Sequence, residues 1–163
     1  MASTYEPIAS TTLGSAATTV TFDTLPATYT DIVAVVNSVT SEGSNDCYLR
    51  FNNDSGSNYS ITWLYGNGSA AGSGRGSNLS GGRLFGGVAD ATHIFHVQSY
   101  ANTNVYKTYL LAGQSTLWGV SSVVRSVGLW RNTSAVTRID FVQTGGGSNE
   151  FKTGTTFSLY GIK

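Results

Sequence analysis

The sequence is poor in cysteine and in charged residues, which argues against disulfides and against nucleic-acid or membrane binding. Cys47 is the one cysteine among 163 residues, so no disulfide can form within the chain. Nine Lys and Arg residues balance nine Asp and Glu residues, and charged residues make up only 11% of the chain. This balance provides no electrostatic footprint for nucleic acid or for an anionic membrane. We therefore expect neither of them as a partner.

Long apolar runs and a leader sequence are also missing. No stretch approaches the roughly 18 consecutive apolar residues of a membrane-spanning helix. The opening residues, MASTYEPIAS, contain no basic residue and no apolar segment, so we expect no secretory signal peptide and synthesis in a cytoplasm. The length of the chain fits a single domain over 1–163, with a short amino-terminal arm at 1–4.

The residues that are abundant favour short strands joined by turns. Glycine occurs 20 times and aromatic residues make up 12% of the chain. Cys47–Phe51 and Tyr59–Tyr65 alternate in polarity with a period of two, and Asn52–Asn58 between them is rich in turn formers. This pattern predicts a hairpin. Roughly eleven such segments recur at a spacing of about 8–12 residues, which predicts an all-β, antiparallel two-sheet β-sandwich.

The first third of the chain carries more specific signals. Tyr5–Thr11 and Ala17–Phe22 suggest an opening hairpin, in which Pro7 marks an edge strand. Pro26 cannot lie in a central ladder, so its segment is predicted to cross from one sheet to the other. Asp31–Val39 is almost wholly apolar and is predicted to be a central strand.

Alternation in the later strands predicts which side chains fill the core. Trp63, in the alternating strand Tyr59–Tyr65, is also expected to lie in the core. The predicted inward positions are Phe95, Val97, Tyr109, Leu111, Val123, Val127, Leu129, Ile139, Phe141, Phe157 and Leu159.

Residues 66–82, GNGSAAGSGRGSNLSGG, are predicted to form a long loop. The segment is too rich in glycine and serine for a regular element, and Arg75 is its one charge. Two interpretations stay open. It is a disordered surface loop, or it is an arm that a neighbouring subunit orders, with Arg75 as the anchor.

Catalytic and metal-binding patterns are weak. His93 and His96 are three residues apart on a predicted strand, so they point to opposite faces and cannot share an ion. The turn around Asp54 offers a single carboxylate, too few oxygen ligands for calcium. Asp140 is expected to form an ion pair with Arg138 on the same face. We predict no enzyme activity, no cofactor and no metal site.

Aromatic residues leave one alternative open. Carbohydrate-binding sandwiches stack sugars on exposed rings, and Tyr65, Trp118 and Trp130 are the candidates for such stacking. The competing interpretation is that aromatic residues at strand ends seal the sandwich or meet a neighbouring subunit.

Several stretches together resemble a family of small virion proteins of tailed phages, including cyanophages. They are TFDTLPATYTDIVAVV, LRFNNDSGSNYSITWLYGNGS, VGLWRNTSAVTRIDFVQ and FSLYGIK, and the similarity covers nearly the whole chain. Asn53 stands where the family usually has Gly, and Arg131 where it usually has Ser. The positions that match the family pattern are Tyr29–Ile32, Leu49–Ser60, Gly66–Gly68, Gly128–Thr137 and Leu159–Lys163.

The resemblance implies a jelly-roll sandwich that belongs to the virus particle, without catalytic residues. It leaves two positions open, capsid decoration (cement) protein or tail and fibre component. The chain shows no heptads and no collagen-like repeat for a trimeric shaft, which favours decoration on the capsid exterior. The expected partners are the major capsid protein and further copies of the chain, as a trimer, with contacts through Tyr5, Glu6, Arg75 and Arg83. The alternative is a tail-associated protein that binds a host-surface glycan.

Overall fold

The computed structural model describes residues 4–38, 47–84, 91–115, 122–144 and 150–163. These residues form β-strands joined by turns, and none of them lies in a helix. The strands are β1 (Tyr5–Thr12), β2 (Thr19–Phe22), β3 (Asp31–Ser38), β4 (Cys47–Phe51), β5 (Tyr59–Gly66), β6 (Ala71–Leu79), β7 (Gly82–Leu84), β8 (Ala91–Gln98), β9 (Lys107–Ser115), β10 (Ser122–Trp130), β11 (Ile139–Gln143) and β12 (Thr156–Ile162).

The strands form two antiparallel sheets, which confirms the predicted β-sandwich. The larger sheet has eight strands in the order β1-β12-β3-β8-β9-β10-β5-β6, and the smaller has four in the order β2-β11-β4-β7. Rings from both sheets meet in the core between them. Phe141 of the small sheet lies 5.9 Å from Phe95 and 5.2 Å from Phe157 of the large sheet, measured between ring centroids.

Strand pairing is nested, so that early strands lie beside late ones. β1 pairs with β12, β2 with β11, β3 with β8 and β4 with β7. Two hairpins, β5–β6 and β9–β10, extend the large sheet beyond β8.

The proline predictions are confirmed, but both predicted hairpins are wrong. β1 is an edge strand, and the segment with Pro26 leads from the small sheet to the large one. β1 and β2 lie in different sheets, and so do β4 and β5. Asn52 and Asn53 have φ angles of 52° and 56°, which turn the chain out of the small sheet. Turn residues predict a reversal of direction, but they do not specify the strand that is paired afterwards.

The prediction of a loop throughout residues 66–82 is wrong, because Ala71–Leu79 forms β6. Two glycines of β6, Gly72 and Gly74, lie under aromatic rings of β5. A Cβ atom on Gly74 would come within 2.4 Å of the Trp63 ring, and one on Gly72 within 2.7 Å of the Tyr65 ring. Rings that cover strand glycines in this way supply the packing that glycine itself lacks. Trp63, predicted to be in the core, is therefore half-buried over β6.

The inward positions are confirmed except on β10. Val123 and Val127 are 64% and 51% exposed, and Leu129 is only half-buried. Tyr109 explains the difference, because its ring occupies the space above Gly128, where a Cβ atom would lie 1.9 Å from the ring. The inward residues of β10 are Ser122, Val124, Ser126, Gly128 and Trp130. The predicted inward residues that are buried are Phe95, Val97, Tyr109, Leu111, Ile139, Phe141, Phe157 and Leu159.

Candidate functional site

The side of the large sheet that faces away from the core exposes apolar side chains on adjacent strands. The most exposed of them are between 42% and 64% exposed, and they are Tyr5, Leu64, Ile94, Leu110, Val123 and Val127. Strand register makes them neighbours, since Leu110 of β9 pairs with Val127 of β10 and Arg125 of β10 pairs with Leu64 of β5. We call this surface the outer face. It comprises Tyr5, Val33, Val35, Leu64, Arg75, Ile94, His96, Leu110, Ala112, Val123, Arg125, Val127 and Tyr160.

A shallow apolar groove of about 440 Å³ runs across the outer face from β8 to β5. Ile94, Leu110, Val127 and Leu64 line it. A smaller hollow beside Ile94 extends the apolar surface to Tyr5 on β1. Contiguous exposed apolar surface of this kind marks protein interaction sites.

Charged groups on the outer face are few. His96 Nε2 lies 2.7 Å from Asp31 Oδ2, and the backbone N–H of Ser99 donates to Asp31 Oδ1 at 2.8 Å. Arg125 is exposed and stands between apolar neighbours. His93 is buried on the opposite side of β8, which confirms that the two histidines face apart.

Two of the four predicted contact residues lie on the outer face. Tyr5 is 54% exposed on β1, and Arg75 is exposed on β6, so they lie at opposite edges of the outer face. Glu6 instead accepts hydrogen bonds from Lys163 Nζ at 2.7 Å and from the Tyr29 hydroxyl at 3.1 Å. The Lys163 hydrogen bond holds the pKa of Glu6 below its usual value, although burial opposes it. Arg83 lies on β7 in the other sheet.

The candidates for glycan stacking differ in exposure. Trp130 is 1% exposed, and its ring centroid lies 5.5 Å from that of Phe51, so its prediction as an exposed platform is wrong. Tyr65 is 40% exposed, with its ring packed over Gly72. Trp118 lies outside the described residues.

Asp54 organises one end of the sandwich, which the sequence did not predict. Its carboxylate accepts hydrogen bonds from Trp130 Nε1 at 2.7 Å, Asn58 Nδ2 at 2.9 Å and the Gly56 N–H at 2.8 Å. Burial alone would raise the pKa of Asp54, but these hydrogen bonds outweigh it and lower the pKa below its usual value. The carboxylate is thus used to hold a turn against the indole ring.

Asn52 ties the same turn to the segment after β10. Its Oδ1 accepts from the N–H groups of Thr137 at 2.9 Å and Arg138 at 3.2 Å, and its Nδ2 donates to the Ala135 carbonyl at 2.8 Å. The segments Leu49–Ser60 and Gly128–Thr137 are therefore joined here by hydrogen bonds.

The segments Tyr29–Ile32 and Leu159–Lys163 also contact each other. Tyr29 lies over Gly161, where a Cβ atom would come within 2.3 Å of the ring, and the Thr30 N–H donates to the Ile162 carbonyl at 2.7 Å. The predicted ion pair between Arg138 and Asp140 is confirmed at 2.7 Å.

Lys107 is a buried cation that was not expected from the sequence pattern. It is fully buried, and its Nζ donates to the carbonyls of Val105 at 2.9 Å and Thr133 at 3.0 Å, and also to that of Asn102. Burial lowers the pKa of this amine. Since the carbonyl oxygens that accept from it belong to two loops, Lys107 joins those loops to each other.

Metal and membrane sites find no support in the described parts of the chain. In residues 4–38, 47–84, 91–115, 122–144 and 150–163, no three His, Cys, Asp or Glu side chains come together as metal ligands. None of these segments forms a helix that could span a membrane.

Comparison with known protein families, with curated proteins and with solved structures finds no significant match to this chain.

Proposed function

We propose that the chain is a phage virion protein that decorates the capsid exterior, binding across neighbouring capsid subunits and stabilising the shell. The observation that supports this proposal best is the outer face, an exposed apolar side of a sheet whose other side already fills the core. Its composition is that of an interface centre, apolar with few charges.

The size of the outer face also suits a stable protein contact. Eight strands about 4.8 Å apart span roughly 35 Å, and at about 3.4 Å per residue the strands are roughly 25 Å long, so the side of the sheet that carries the outer face covers roughly 800–900 Å². A standard interface buries about 800 Å² on each partner.

The topology agrees with a virion role. We infer that the sandwich is a jelly roll with two inserted hairpins, since leaving out β5–β6 and β9–β10 gives the sheets β1-β12-β3-β8 and β2-β11-β4-β7. Each sheet then has four strands, and the chain crosses between sheets at every step from β1 to β4. Jelly rolls are common in viral capsid proteins.

Decoration would act by mass action. A protein that binds the assembled lattice and not loose capsid subunits stabilises the shell by the free energy of that binding. The glycan-binding alternative is less favoured, because Trp130 is buried and Tyr65 is packed against β6.

The decisive experiment is the copy number in purified virions, measured by quantitative mass spectrometry against the major capsid protein. Decoration predicts a number of the same order as the capsid protein, and mild stripping that removes the chain should lower the temperature at which the shell breaks. A few copies per particle would contradict decoration and support a tail position.

Rebinding to stripped particles tests which surface is used. Val127→Lys places a charge at the centre of the outer face and should abolish rebinding. Thr19→Lys, on the exposed side of β2 in the small sheet, is the matched control and should rebind like the unaltered protein. Equal rebinding by both variants would exclude the outer face as the capsid contact.

A further inference from the structure

The two edges of the large sheet are protected to different degrees. β1 carries Pro7, and its register with β12 shifts between Pro7 and Ala9. Proline and bulges are devices that keep an edge strand from pairing with another chain. β6, at the other edge, contains no proline, and its register shift is confined to the end near Leu79. Residues 71–76 therefore present an open, regular edge.

The open edge is also held in an extended conformation. Trp63 and Tyr65 lie over Gly74 and Gly72, so the glycine strand is packed although its own side chains are absent. Within the described part of the chain, β6 pairs with β5 alone. Backbone N–H and C=O groups along its free side are available for a further strand.

We propose that β6 pairs antiparallel with β6 of a second copy, about a two-fold axis at Gly74. A two-fold axis normal to the sheet keeps the outer faces of both copies on one side, so residues pair only with residues of the same side. Centring on Gly74 places Gly72 opposite the partner's Gly76 and Ser73 opposite the partner's Arg75. Small residues then meet along the junction, and the two guanidinium groups do not face each other.

Two centres nearer the Leu79 end of the strand fit less well. An axis at Arg75 would set the two Arg75 side chains directly opposite, which is destabilising for like charges in a strand pair. An axis at Ser77 would bring the irregular end of the strand into the pair, since Asn78 has a φ of 56°. The Gly74 register avoids both.

The pairing has a geometric consequence. It joins two eight-stranded sheets into one, so the outer faces of both copies become continuous. This assigns two-fold symmetry to the chain instead of the three-fold symmetry that the sequence suggested. The inference does not depend on the capsid proposal, because it concerns the isolated protein.

Sedimentation equilibrium of the purified protein, from about 1 µM to 1 mM, tests the pairing and its register. The mass should rise from the monomer value of 17.1 kDa toward twice that value. Ser73→Glu places a carboxylate opposite the partner's Arg75 at two symmetric positions and should tighten the dimer about fivefold. Ser73→Lys should weaken it about fivefold for the opposite reason, and adding Arg75→Glu to Ser73→Lys should restore it.

Control variants and a second measurement keep the outcomes separable. Thr12→Glu and Thr12→Lys make the same charge changes on the exposed side of β1 and should leave dimerisation unchanged. Hydrogen exchange should slow with rising concentration in β6 and not in β1. A monomer at all concentrations, a trimer, or equal effects of Ser73→Glu and Ser73→Lys would overturn the proposal.

Discussion

The two sides of strand β10 differ in burial, and the more apolar side is the one that is exposed. Val123, Val127 and Leu129 lie on the outer face or at its margin, whereas serine and glycine occupy much of the inner side. The inner side is filled by rings instead, since Tyr109 covers Gly128 and Trp130 closes the end of the strand. Which side of β10 is buried thus depends on the space that rings such as Tyr109 occupy in the core. The apolar side chains on the other side remain exposed and are available for a partner.

The largest loss of stability should come from a substitution at Gly128, on the inner side of β10. Gly128→Ala places a Cβ atom 1.9 Å from the Tyr109 ring, and overpacking of this kind lowers the free energy of unfolding by about 3 kcal/mol. Val127→Ala, the neighbouring change on the outer face, should cost less than about 0.5 kcal/mol. Urea denaturation of both variants measures the contrast. Equal losses would mean that the two sides of β10 are packed alike.

The next effect concerns the end of β10. Asp54→Ala leaves Trp130 Nε1, buried and bonded at 2.7 Å, without its acceptor, and should lower the free energy of unfolding by about 2 kcal/mol. Ser55→Ala in the same turn is exposed and serves as the control. Thermal unfolding monitored by tryptophan fluorescence would show the difference, and a loss no larger than that of Ser55→Ala would contradict the assigned role.

The pH dependence of stability separates the charge of Asp54 from its shape. Hydrogen bonds hold its folded pKa below the usual 3.8, so the unfolded chain takes up the proton first as the pH falls. The resulting stabilisation is complete above the usual pKa and is lost as the pH falls through the folded pKa. Asp54→Asn lacks this contribution, so its unfolding free energy should fall less steeply below about pH 5. Parallel curves would exclude a lowered pKa.

The smallest effect on stability should come from the outer face. Val123→Lys together with Val127→Lys places charges on side chains that are already 64% and 51% exposed, so the free energy of unfolding should change by less than about 0.5 kcal/mol. Surface charge should also make the isolated protein less prone to associate. Calorimetry and light scattering check both expectations. A loss above about 2 kcal/mol would show that these valines support the fold.

Much of the fold could be predicted from alternation alone, because alternation reports which side of a strand is buried. It placed Phe95, Phe141 and Phe157 inside and set His93 and His96 on opposite faces. It could not choose between two plausible sides on β10. It also could not name the neighbour of a strand, since pairing across two sheets depends on segments far apart in the chain.

The candidate site was harder to predict for a related reason. Glycine-rich β6 has low intrinsic strand propensity, and it is a strand because Trp63 and Tyr65 of β5 cover it. An apolar residue at alternate positions normally indicates a core, so Val123 and Val127 gave no sign of exposure. Tyr5 was proposed as a contact because it belongs to the amino-terminal arm, and Arg75 because it is the one charge of a glycine-rich segment; both lie on the outer face.

The position of β12 has a consequence for how the chain folds as it is synthesised. β12 lies between β1 and β3, yet it follows β3 by more than a hundred residues. Neither neighbour can complete its ladder until Thr156–Ile162 has left the ribosome, so the large sheet closes after synthesis of all the other strands. Such long-range pairing folds slowly and leaves strand edges open in the meantime. The chain is therefore open to aggregation throughout translation, until Thr156–Ile162 emerges to cover both edges.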